Sequence, residues 1–173
     1  MEVRAAAQGD LPAIQSIYSH HVLHGLATFE EIPPDLEEMR QRHRDITSRG
    51  LPYLVAVERG EVLGYGYCAL YRARSAYRYA LEDSIYIRDG HLGKGIGSRI
   101  LGELVRLSEA LGYRQVIAVI GDSANIGSIA LHARLGFLRV GTLRSTGFKF
   151  GRWVDSVLMQ RPLGPGDGAP PST

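Results

Sequence analysis

The chain has 173 residues, 45% hydrophobic and 22% charged, an ordinary composition for one globular domain with a sizeable core. Its 20 basic and 18 acidic residues leave a formal charge of +2, too small to mark a nucleic-acid or membrane-surface partner, so any basic site has to be a local cluster. The one cysteine, Cys68, excludes an internal disulfide and a cysteine-based metal site. Within the apolar run from Gly64 to Leu70 it reads as a small buried side chain. No apolar run approaches the ~20 residues that span a bilayer, and the N-terminus lacks the basic-then-apolar order of a signal peptide. A cytoplasmic location is expected.

Val3 to Ala5 predicts a short first strand. Asp10 is a candidate helix cap with Pro12 in the first turn, after which Leu11, Ile14, Ile17, Tyr18 and Val22 recur at helical spacing. A second helix runs from about Asp35 to Ser48, polar enough to lie on the surface. Tyr53 to Glu58 and Val62 to Tyr71 read as a hairpin turned at Arg59-Gly60. A strand from about Leu81 to Arg88 precedes the stretch Gly90 to Gly97. The helix that follows carries the stripe Ile96, Ile100, Leu101, Leu104, Val105, Ser108 and Leu111, with Gly112 as its stop. Val116 to Ile120 is a continuous apolar run, the mark of a central strand covered on both faces. A fourth helix from about Asn125 to Leu135 leads to final strands at Phe137–Leu143 and Trp153–Gln160. The order is β-α-α-β-β-β-α-β-α-β-β, a mixed α/β sheet rather than a run of βαβ repeats. Residues 1–163 form the domain, and the Pro/Gly-rich segment 164–173 reads as a flexible tail.

The stretch Ser84 to Ser98 is the most informative. Glycines at 93, 95 and 97 allow close backbone approach to a ligand, and the loop opens a helix whose free N–H groups and dipole favour an anion such as a pyrophosphate. Lys94 adds charge. The same glycines also suit a plain tight turn. Neither the Walker spacing nor the dinucleotide fingerprint G-x-G-x-x-G is met, which opposes a nucleotide-binding switch.

Several motifs in order carry a resemblance: Glu82-Asp83-Ser84-Ile85-Tyr86-Ile87, Gly93-Lys94-Gly95-Ile96-Gly97, Ala118-Val119-Ile120-Gly121, Ser128-Ile129-Ala130-Leu131-His132, Leu135-Gly136-Phe137 and the segment Gly147 to Trp153. Together they resemble the GNAT N-acetyltransferases, in particular the phosphinothricin / methionine sulfoximine acetyltransferase branch. The resemblance covers nearly the whole chain except the tail. Leu92 departs from it, standing where the family loop carries Gln or Arg. The resemblance implies a single GNAT-like domain with a mostly antiparallel sheet of about seven strands and about four helices on its faces. It implies acetyl-CoA as co-substrate, no metal, and a homodimer whose pocket borders the partner. The backbone of Ile85, Tyr86 and Ile87 is then expected to pair with the pantetheine arm, and the amides from Gly93 through Lys94, Gly95, Ile96 and Gly97 to Ser98 to cradle the pyrophosphate. Asn125 is expected to bond the cofactor arm; a helix N-cap is its alternative.

An amine must be neutral to attack a thioester, so a base is needed. Glu82, just before apolar strand residues, is the candidate, with a solvated strand-end carboxylate as the alternative. Strand alternation puts Glu82, Ser84 and Tyr86 on one face and Asp83, Ile85 and Ile87 on the other. His132 is the second candidate, as proton donor to the thiolate or relay for the amine proton, against a half-buried structural histidine. The resemblance implies the Ile87 N–H as oxyanion donor. On the substrate side it implies Arg72, Ala73, Arg74 and Tyr77, besides Glu82. Arg72 and Arg74 point the same way if their backbone is extended, and their guanidinium forks suit carboxylate, phosphinate or sulfonyl oxygens. His20, His21 and His24 do not form H-E-x-x-H and read as a helix end, near the substrate entrance. Phe148 to Trp153 is too apolar for a free loop; it borders a partner, or Trp153 packs in the core. The function read from all this is acetylation of a small anionic amino-acid-like amine. Acetylation of a peptide N-terminus or polyamine, and a non-catalytic acyl-CoA-binding module, are the alternatives.

Overall fold

A computed structural model describes residues 1–171. Its elements are β1 (Glu2–Ala5), α1 (Leu11–His24), α2 (Leu36–Thr47), β2 (Tyr53–Glu58), β3 (Glu61–Leu70), β4 (Ala80–Ile87), α3 (Ile96–Ala110), β5 (Gln115–Gly121), α4 (Ile126–Arg134), β6 (Leu138–Lys149) and β7 (Arg152–Pro162). The strands form one seven-stranded sheet in the order β1-β2-β3-β4-β5-β7-β6. Every neighbouring pair is antiparallel except β4 with β5. The mixed sheet and the element order are as expected.

Two cores cover the sheet. On one side α3 buries Ile96, Ile100, Leu101 and Leu104 against Leu54, Cys68, Leu81, Val116 and Ala118. On the other, α1 lays Leu11, Ile14, Ile17, Tyr18 and Val22 over Tyr53, Val55, Tyr65 and Tyr86. The apolar spacing read in α1 is thus its buried face. Cys68 is fully buried, and burial pushes its thiol up to about 12.

Four expectations need correction. Asp10 makes no side-chain cap on α1; its carboxylate accepts from the Ala7 N–H at 2.8 Å and pairs with Arg4 at 2.7 Å, because a 3-10 turn over Gln8–Asp10 precedes the helix. Leu111 leaves the apolar stripe of α3 and is exposed, since the helix has already ended at Ala110. β5 is covered on one face only: Val116, Ala118 and Ile120 are buried, whereas Val119 is 39% exposed. Trp153 is 64% exposed and packs edge-on against exposed Phe148, so it does not fill the core.

The open face of β5 follows from the sheet itself. β4 and β5 pair only from Ala80↔Gln115 to Asp83↔Ala118. Beyond that they separate: Ser84 to Ile87 stay with β3, and Val119 to Gly121 with β7. A wedge-shaped cleft opens in mid-sheet.

The final segment follows the body of the domain. Leu163 is fully buried, and the Arg114 guanidinium donates to the carbonyls of Gly166 and Pro170. Ser172 and Thr173, the end of the expected tail, lie outside the described residues. Among the described residues no helix is long and apolar enough to cross a membrane.

Candidate functional site

The cleft between β4 and β5 is lined by Asp83, Ser84, Ile85 and Tyr86 from one strand and Ala118 to Gly121 from the other, with Asn125, Ser128 and His132 of α4 and Ala27 at its rim. The register decides which backbone groups look into it. Tyr71 N–H bonds the Ala80 carbonyl and Arg88 N–H bonds the Leu63 carbonyl, which fixes the hydrogen-bonded pairs of β3 and β4 at the even residues of β4. Ile85 and Ile87 therefore turn their N–H and C=O to the open edge, and Tyr86 turns its own to β3. Of the three residues expected to pair with a ligand arm, Ile85 and Ile87 turn their backbone outward and Tyr86 does not. The Ile87 carbonyl is met there by His21 Nε2 at 2.8 Å, so that nitrogen carries the proton. Burial is the main reason the His21 pKa is lowered, against the pull of this bond.

The loop before α3 leaves backbone donors and open space together. Gly93 and Gly95 have φ of +76° and +77°, a region that disfavours side chains, and a Cβ on either would meet nothing within 4 Å. The space in front of them is free for a ligand. Arg99 N–H bonds back to the Gly95 carbonyl, leaving the N–H groups of Ile96, Gly97 and Ser98 without helical partners. Gly97 serves a different purpose: a Cβ there would lie 2.9 Å from Leu131 Cδ2, so it lets α3 and α4 pack closely. Lys94 is exposed beside the loop. Asn125 is the N-cap of α4, its Oδ1 accepting from Ser128 N–H at 3.2 Å, and it also lines the cleft. Free amides, an open glycine loop and an unpaired strand edge fit the pyrophosphate and amide-bearing arm of coenzyme A.

The two proton-handling candidates sit on opposite faces of β4. Glu82 shares its face with Ser84 and Tyr86, on the α1 side. Burial is the largest cause raising its pKa, and Asp83 raises it further against the pull of Arg72. His132 lies on the α3 side, 4% exposed, with its Nε2 3.0 Å from Asp83 Oδ2 and its Nδ1 2.7 Å from the Ser128 carbonyl. Phe137 meets the ring edge-on. Alternation puts Asp83 on this face; its contact with His132 depends on where α4 lands, which strand periodicity does not show.

On the Glu82 face lies a cavity of about 270 Å³ walled by Tyr18, Tyr53, Tyr65, Tyr67, Met39 and Arg42. It reaches Ala69, the cross-strand partner of Glu82. Tyr53, Tyr65 and Tyr67 stack along it. Arg42 is held by Glu30 at 2.7 Å, and the Tyr18 hydroxyl donates to Glu30 at 2.8 Å. The segment with Arg72, Ala73 and Arg74 is exposed and bent rather than extended, so alternation does not set the direction of the arginines. Arg72 stacks on Tyr71, and Tyr77 meets the same ring edge-on at 5.8 Å.

One feature of the site had no sequence signal. The segment from Gly25 to Glu30 is strapped over the ends of β5 and β6. Lys149, 2% exposed, donates through Nζ to the carbonyls of Gly25 at 2.9 Å and Thr28 at 2.8 Å. A Cβ at Gly121 would lie 2.0 Å from the Leu26 carbonyl oxygen, so glycine is required where the strap crosses β5. Among the described residues no cluster of three His, Cys, Asp or Glu is placed to hold a metal; the rings of His20 and His24 lie tilted to each other, 4.9 Å apart, on α1.

A sheet split beside a glycine loop with free amides suits a carrier such as coenzyme A. Residues 15–137 match the model of the acetyltransferase (GNAT) family. The chain is 54% identical over 165 residues to a phosphinothricin N-acetyltransferase of Alcaligenes faecalis, spanning 95% of this chain and 84% of that one. It is 41% identical over 170 residues to an L-methionine sulfoximine/L-methionine sulfone acetyltransferase of Pseudomonas paraeruginosa, spanning 97% and 98%. Its fold is similar to a phosphinothricin acetyltransferase from Sinorhizobium meliloti solved in complex with AcCoA, with a TM-score of 0.96, 50% identity and coverage of 99% and 92%. The chain belongs to the GNAT family of acetyltransferases. It is an acetyl-CoA-dependent N-acetyltransferase.

Proposed function

We propose that the acceptor is a small amino acid with an oxygen-rich, anionic side chain of the phosphinothricin or methionine sulfoximine kind, acetylated by direct attack in a ternary complex. The observation that carries this reading is the division of labour across β4. One side of the site is the split between β4 and β5 with its free backbone edges; the other is the α1 face of β4, where Glu82 and the tyrosine-walled cavity lie. Acetyl-CoA enters on the first side, its pyrophosphate on the amides of residues 93–98 and its arm along Ile85 and Ile87. The acceptor enters on the second. Glu82, its pKa raised by burial, takes the amine proton. The Ile87 N–H faces the carbonyl oxygen as charge develops on it. Arg72 and Arg74 hold the carboxylate, Tyr77 borders it, and the tyrosine cavity takes the side chain, its hydroxyls donating to phosphinyl or sulfonyl oxygens. Names of relatives support the substrate class.

Polyamines fit poorly, because Arg72 and Arg74 repel cations. A non-catalytic module would have no use for a half-buried Glu82. A homodimer is supported by the apolar side chains left open on the edge strand β6, the turn after it and the start of β7: Leu138, Val140, Phe148, Phe150 and Trp153 are each more than half exposed. A cytoplasmic setting fits a lone, buried thiol.

The test is acetyl-CoA consumption over free amino acids, phosphinothricin, methionine sulfoximine, a peptide amine and a polyamine. Preference for the oxygen-rich amino acids supports the assignment. Faster turnover of the polyamine or peptide would overturn it.

A further inference from the structure

We infer that Asp83 is a positioning residue for acetyl transfer, joined to His132 in one buried unit that stores a single proton beside the cleft. The inference rests on the acetyltransferase reading of the same site. Its first support is hydrogen-bond bookkeeping. The Ser128 carbonyl at 2.7 Å only accepts, so His132 Nδ1 carries a hydrogen. If the ring were neutral, Nε2 would then be a bare lone pair 3.0 Å from a carboxylate oxygen. Two acceptors do not sit at that distance in a dry interior. The contact therefore holds one proton more than a neutral imidazole beside an ionised carboxylate. An imidazolium gives both the Ser128 carbonyl and Asp83 Oδ2 a donor. The Ser128 hydroxyl, 3.4 Å from Nδ1, is too far to replace the carbonyl.

Burial supports the same conclusion. Asp83 is 6% and His132 4% exposed. Desolvation opposes an imidazolium, yet the bond and charge of Asp83, together with the Ser128 carbonyl, outweigh it and raise the His132 pKa above its ordinary value. The titratable neighbours on β3 and β4 are Cys68 and Glu82. Cys68 on β3 has its thiol pushed up to about 12. Glu82, next along β4, points to the opposite face. Phe137, the remaining ring contact, is uncharged. Asp83 Oδ1 is buried without a hydrogen-bond partner among the described residues. The carboxylate thus leans on His132 alone.

In the reaction the amine nitrogen bonds the thioester carbon, and its proton goes to Glu82. The C–S bond breaks with its electron pair on sulfur. The sulfur takes the stored proton, leaving coenzyme A as a thiol and a neutral imidazole beside the Asp83 carboxylate. Without Asp83, burial would favour the neutral ring and empty the store at neutral pH.

The test is an NMR titration of the His132 ring nitrogens in the ligand-free protein, with rate profiles for the wild type, Asp83→Asn and Asp83→Glu. We expect both nitrogens protonated at neutral pH, with a midpoint above 6.5 that drops below it in Asp83→Asn. The alkaline limb of kcat moves down by about one pH unit or more in that variant, and kcat at mildly alkaline pH falls on the order of tenfold with the acetyl-CoA KM nearly unchanged. Asp83→Glu restores the limb. A neutral His132 in the wild type sinks the proposal without any variant, so a poorly folding Asp83→Asn leaves it decidable. A limb that stays put in Asp83→Asn also sinks it. If the wild type acetylates none of the proposed acceptors, the substrate reading fails instead, and the titration still judges the pair.

Discussion

At the scale of single residues, the strand Ala80–Ile87 sorts its side chains by alternation, and that sorting was readable from the sequence. Glu82 and Asp83, adjacent in the chain, end up on opposite faces with different neighbours. Burial raises the Glu82 pKa, so the acid limb of kcat/KM lies above the ordinary value of 4.5: activity grows as pH rises through the raised value and Glu82 ionises. Glu82→Gln is expected to lower turnover on the order of 100-fold while acetyl-CoA affinity stays within about twofold, checked by steady-state rates and calorimetry. An unchanged rate would remove Glu82 from the mechanism. What the sequence left unread at this scale is pairing across elements. His132 stood out as a histidine on a helix, but its 3.0 Å contact with Asp83 arises only when α4 docks against the sheet. Lys149, between two phenylalanines, carries no sequence mark of burial and is one of the most buried side chains among the described residues.

At the scale of elements, helices with a clear apolar stripe were legible, and so was the hairpin at Arg59-Gly60, both of whose residues have positive φ. The last two strands run longer than their apolar segments. β6 continues to Lys149 through irregularities between Arg139 and Gly141 and between Leu143 and Gly147, where the alternation that marks a strand is broken. The apolar run in β5 suggested cover on both faces; an apolar side chain facing a ligand cleft looks the same in sequence as one facing a helix. The strap over Gly25–Glu30 is held from the far end of the chain and has no local pattern. Lys149→Met leaves two carbonyls without their donor and is expected to destabilise the fold by about 2 kcal/mol or more, read from the urea midpoint. Because Ala27 borders the cleft, the same substitution should raise KM.

At the scale of the whole molecule, the net charge of +2 gives no strong field, so recognition depends on local groups and on exposed apolar surface. The outer edge of the sheet carries both. Sedimentation of the wild type is expected to give twice the chain mass, and the paired substitution Phe148→Ser with Trp153→Ser to shift it toward one chain at micromolar concentration. A monomeric wild type would remove the dimer from the picture. The divergence of β4 from β5 has a further consequence, for how the molecule holds together. Within the sheet of the described residues, four ladder pairs join the β1–β4 half to the β5–β7 half, besides the core shared under α3. An occupant lying along the exposed edges acts as a missing plank between two panels, so the empty enzyme is the looser one. Saturating coenzyme A, at a hundred times its dissociation constant, would add about 2.7 kcal/mol to unfolding. Amide exchange should slow most at Ile85, Ile87 and Val119, because those positions flank the gap the thioester carrier closes.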